Sequence, residues 1–149
     1  MESVMKRVMS LFVSIFIFVG CAVQPVIPWQ GKEPTQAVPI EQWSKVLADT
    51  KSLPGAIVTE SKIQTSIKVP GPASGTELYS LYIFTKESSY AHPAAAKMTF
   101  LKGPSSAKNP EFNFIKVGDN PNFVKFVREI LTAGLLMEPK ESTSIEPKK

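Results

Sequence analysis

The chain has 149 residues, a length that suits one domain and leaves little room for two. Its 43% hydrophobic and 20% charged residues are ordinary for a globular protein. One cysteine and one histidine exclude an internal disulfide and a Cys/His zinc centre. The net charge of +4 includes Lys6 and Arg7 near the N-terminus. Lys62, Lys68, Lys97, Lys102, Lys108 and Lys116 are spread singly, so a dense basic face for nucleic acid is not expected.

Residues 1–20 read MESVMKRVMSLFVSIFIFVG. Lys6 and Arg7 make a short positive start, and residues 8–19 are almost wholly apolar. That run of about a dozen residues suits the core of a signal peptide and is shorter than the roughly 20 a spanning helix needs. Small residues follow at Gly20, Cys21 and Ala22. Phe18-Val19-Gly20-Cys21 resembles the lipobox of bacterial lipoprotein precursors, with Phe18 in place of the commoner Leu. The resemblance implies a diacylglycerol on the Cys21 thiol, cleavage between Gly20 and Cys21, and acylation of the new amino group, commonly with palmitate. Ala22, where some lipoproteins carry Asp, resembles cargo sent on to the outer membrane. One acyl chain holds a protein marginally, at about 0.8 kcal/mol per buried methylene, whereas two or three give persistent attachment. Two alternatives are a general secretory cut after Ala22, releasing a soluble periplasmic protein, and an uncut membrane helix with an ordinary buried cysteine.

Residues 21–38, with Pro25, Pro28 and Pro34, read as a lipidated, proline-rich tether. Trp29 is its one bulky residue and suits either a lipid interface or packing back on the domain. Residues 39–136 read as a single domain. Ile40, Trp43, Val46 and Leu47 recur at helical spacing over 39–51, ended by Leu53-Pro54-Gly55. Residues 56–69 alternate as one half-buried strand, with Ile57, Thr59, Ile63, Thr65, Ile67 and Val69 facing one way. After the turn-rich 70–75, residues 77–85 (ELYSLYIFT) predict a central strand. Residues 94–102 and 112–117 predict two more. Asn120 as cap, Pro121 in the first turn and a stripe of Phe123, Phe126, Val127, Ile130, Leu131 and Leu135 predict a last helix, with Gly134 as its stop. Residues 137–149 are polar and predict a disordered tail.

The order helix, four strands, helix predicts a two-layer α+β fold. About four antiparallel strands would carry the N-terminal and C-terminal helices on one face. Tyr79, Tyr82, Phe84 and Phe100 read as core, with any on an uncovered face as contact surface.

No catalytic residue, metal ligand or cofactor is assigned. His92 has no nucleophile motif beside it, and Pro93 holds it extended. The acids sit singly; only Glu60 and Glu77 are placed to approach each other, across the first hairpin. The glycines form no phosphate-cradling loop. The candidate contact loop is 86–93, with Tyr90 and His92. The span from Leu81 through Ala94 also resembles small exported bacterial proteins of unknown function, which implies no activity.

The function expected is therefore a lipid-anchored envelope protein whose domain binds rather than catalyses. Its partners would be the membrane, through lipid on Cys21, and another envelope protein, with no nucleic acid. An inhibitor or immunity-type lipoprotein acting on a periplasmic enzyme, or a small envelope hydrolase, are the alternatives.

Overall fold

The computed structural model describes Trp29 and residues 34–103 and 109–137. Gly20 and Cys21, most of the expected tether and the tail 138–149 lie outside the described residues. In chain order come β1 (Thr35–Val38), a 3-10 turn (Ile40–Gln42), α1 (Trp43–Lys51), β2 (Ile57–Glu60) and β3 (Gln64–Pro70). There follow β4 (Glu77–Thr85), β5 (Ala94–Leu101), β6 (Glu111–Val117) and α2 (Phe123–Leu135).

The fold is α+β: a mixed six-stranded sheet in the order β1-β6-β5-β4-β3-β2, with two helices. Strands β2 to β6 form an antiparallel meander, as short connections dictate. The last four residues of the expected tether make β1, which pairs parallel with β6 from Thr35 opposite Phe114 to Val38 opposite Val117. A parallel neighbour needs a long crossover. Here that crossover is the rest of the sheet, so no local signal announces it.

Two strands stand where one was predicted over 56–69. The chain turns at Ser61, whose hydroxyl accepts from the Gln64 amide at 3.1 Å while its own amide donates to the Gln64 carbonyl at 2.9 Å. The turn reverses the parity of the alternation. Ile57 now sits opposite Lys68, and Val58 opposite Ile67. The predicted common face of Ile57 and Ile67 is therefore split, and Ile57 is 65% exposed.

Alternation also decides where the helices go. Ile67, Tyr82, Phe84, Ala95 and Ile115 join Trp43 and Val46 of α1 in one core cluster. Ile83, Ala96, Met98, Phe100 and Phe114, at the intervening positions of the same strands, join Phe123, Phe126 and Ile130 of α2 in another. Phe84 pairs with Ala95 and Ile83 with Ala96 in an unbroken register, so the two clusters lie on opposite sides of the sheet. The expected two-layer arrangement, with both helices on one face, is thus corrected to helix, sheet, helix. The cause is legible in β4, which is apolar on both sides because both are covered.

At Trp29 the second of the two readings holds, while at Gly134 the expected stop does not. Trp29 packs on the domain, 5% exposed, edge-on to Tyr82 and Phe84 with ring centroids 5.4 and 5.9 Å away. Gly134 lies within α2 and does not stop it. A Cβ there would come within 2.6 Å of the Phe112 ring and 3.0 Å of Met98 Sδ, so glycine lets the helix approach the sheet.

Candidate functional site

A pocket of about 460 Å³ opens beside α1, at the end of the sheet where β4 runs into the loop 86–93. Helix α1 supplies one wall through Trp43, Leu47 and Lys51, which recur at i, i+4 and i+8 and so share a helix face. The strands supply Glu60 from the end of β2, Thr65 from β3 and Thr85 from the end of β4. Lys86, Glu87, Ser88 and His92 of the loop complete the lining.

Glu60 organises the polar side. One carboxylate oxygen lies 2.9 Å from Lys51 Nζ, and the other lies 2.5 Å from Lys86 Nζ and accepts from the Thr65 hydroxyl at 2.7 Å. Lys86, then Lys51, then Thr65 hold the carboxyl down from 4.5 to about 2. It stays ionised over the whole neutral range. The Glu60–Glu77 approach considered from sequence does not form. Glu77 lies at the far end of β4 and accepts from the Ser80 hydroxyl. Sequence reasoning passed over Lys51 and Lys86. The available signal was the Trp43, Leu47, Lys51 spacing, which marks one side of α1 as facing a single neighbour.

The two residues singled out in the loop part company. His92 lines the pocket, its ring edge-on to Trp43 with centroids 5.9 Å apart at 81°. Its Nδ1 lies 2.9 Å from the Thr85 carbonyl. A carbonyl can only accept, so Nδ1 carries the proton, and in the neutral ring Nε2 is left as an acceptor. Tyr90 instead turns to α2: its hydroxyl donates to Glu129, and Lys125 Nζ stands 4.5 Å over its ring. Desolvation first, then Glu129, push this phenol up to about 12.

The loop is held at both ends. Lys86 Nζ donates to the Ser61 carbonyl at 2.8 Å, and the Ser88 hydroxyl to the Lys62 carbonyl at 2.7 Å. From the other side, Asn120 donates to the carbonyls of Ala91 and Pro93 at 2.7 and 3.1 Å, and Asn122 to that of Tyr90 at 2.9 Å. Asn120 also accepts from the Asn122 amide at 3.0 Å. The cap position of α2 falls at Asn122, so Asn120, expected as the cap, instead ties the loop to the turn that precedes the helix.

Comparison with protein-family models, with curated proteins and with solved structures returns no match. Among the described residues, no group of three or more His, Cys, Asp or Glu could hold a metal ion, and no helix is long and apolar enough to cross a membrane.

Proposed function

We propose that this chain is exported, lipid-anchored through Cys21, and serves in the cell envelope as a binding module, facing the periplasm from the outer membrane where the cell has one. The observation that carries the anchor is Phe18-Val19-Gly20-Cys21 at the end of a short apolar run that opens with Lys6 and Arg7. A carboxylate already satisfied by two ammonium groups and a hydroxyl is poorly suited to proton transfer near neutral pH. That supports binding over hydrolysis at the pocket. Intact mass of the mature chain tests the anchor. Cleavage before Cys21 with added diacylglycerol and acyl mass is expected, and Cys21→Ser should move the protein out of the membrane fraction. A mature chain beginning elsewhere, or an unmodified Cys21, rejects it.

A second reading, an inhibitor of a periplasmic enzyme, is favoured by the loop 86–93, which is braced from both sides and so presented at low entropic cost. Substitutions at Tyr90 and Glu87 should then abolish protection while leaving the fold intact. Unchanged protection removes this reading.

A further inference from the structure

The pocket beside α1 sets an apolar wall against a pair of ammonium groups that outnumber the carboxylate between them. Lys51 and Lys86 both contact Glu60, two positive charges to one negative. Each ammonium has three N–H donors. The contacts to Glu60 and to the Ser61 carbonyl use two on Lys86 and one on Lys51. The triad therefore keeps both charge and donors that a second acceptor could take up. Next to it, on the same side of α1, stand Trp43 and Leu47. A volume of about 460 Å³ lies within the ordinary range for small-molecule sites. Glu87 also lines this space and brings the lining to two ammonium groups and two carboxylates. What favours an anionic group is therefore the unused N–H donors of Lys51 and Lys86, and a ligand of more than one negative charge is opposed.

We propose that this pocket binds a small organic monocarboxylate, its carboxylate shared by Lys51 and Lys86 and its apolar body resting on Trp43 and Leu47. Glu60 then acts as a built-in stand-in for the ligand, holding the two ammonium groups together while the pocket is empty and competing with the ligand for them. The inference rests on the binding-module reading and is independent of the lipid on Cys21.

The test is calorimetric titration of the full-length chain in detergent with phenylacetate. The comparison ligands are 2-phenylethylamine and 2-phenylethanol, which keep the ring and change the charge. Phenylacetate should bind in the millimolar range or tighter, and at least about tenfold better than either comparison ligand. Lys51→Met should weaken binding by about tenfold, with Lys51→Arg retaining most of it. Glu60→Gln should tighten it several-fold by removing the competitor, a gain that a merely structural role for Glu60 would not produce. Circular dichroism shows which variants remain folded, and the Glu60→Gln and Lys51→Arg results stand if Lys51→Met does not fold. No heat with phenylacetate up to about 10 mM, equal binding of the amine or the alcohol, or weaker binding by folded Glu60→Gln overturns the proposal. Such a failure leaves the binding-module reading to its own test, capture of a protein partner by crosslinking in intact cells.

Discussion

Glu60 is an exposed carboxylate whose environment is set by three side chains brought from α1, β3 and the loop after β4. Its pKa is depressed on folding, from 4.5 to about 2. The sign of the linkage follows. The stabilisation is complete above the unfolded value and is lost as pH falls through the folded one. Solvent screens a group this exposed, so the effect is read as a difference between two proteins. The urea midpoint of the natural chain should fall more steeply than that of Glu60→Gln between pH 4.5 and about 2. Parallel profiles across that window would show that the lysines do not hold the carboxyl. Gly134 gives a second residue-scale prediction, because a side chain there meets the Phe112 ring. Gly134→Val should destabilise the domain by about 1–3 kcal/mol in denaturant unfolding. A gain in stability, as expected for a helical glycine in open space, would remove the packing role.

Among the elements, α1 shows how a short helix is kept in place. It spans nine residues, too few to be stable in isolation. Trp29 reaches it from outside the helix, its indole Nε1 donating to the Thr50 hydroxyl at 3.4 Å while the ring packs on Tyr82 and Phe84. Trp29→Ala should therefore cost about 3–5 kcal/mol, measured by chemical denaturation, with the far-ultraviolet signal of α1 lost first. A cost near zero would mean that Trp29 only rests on the domain. The β2–β3 hairpin is the element least legible in the sequence. Its residues alternate through the turn as though the strand ran on, and only the pairing of Ser61 with Gln64 marks the reversal. By contrast β4 was readable end to end, since a run of β-branched and aromatic residues with apolar side chains on both faces has few other solutions.

For the whole molecule, the sheet has a protected centre and two short edges. β4 and β5 sit between other strands and beneath helices on both faces, whereas β2 is a four-residue edge with every residue exposed. Amide hydrogen exchange should be slowest in β4 and β5 and fastest, among the strands, in β2. Equal protection across the sheet would mean that it opens only as a unit. Short edges also limit pairing between copies, a common defence in sheet proteins. The pocket belongs to this scale as well. It exists because the end of α1, the tip of the β2–β3 hairpin and the loop leaving β4 converge at one end of the sheet.

What the amino-acid sequence determined by itself is local: the strands from Glu77 onward and the buried Phe123, Phe126 and Ile130 of α2, whereas Leu131 and Leu135 of the expected stripe are exposed. Each follows from spacing within a single segment, where period and propensity act over a few residues. The tertiary structure alone decided the parallel pairing of β1 with β6, the placing of α1 and α2 on opposite faces, and the meeting of Lys51, Glu60 and Lys86. These are choices among partners far apart in the chain. They depend on which surfaces remain to be covered once the meander has formed, and no local pattern encodes that.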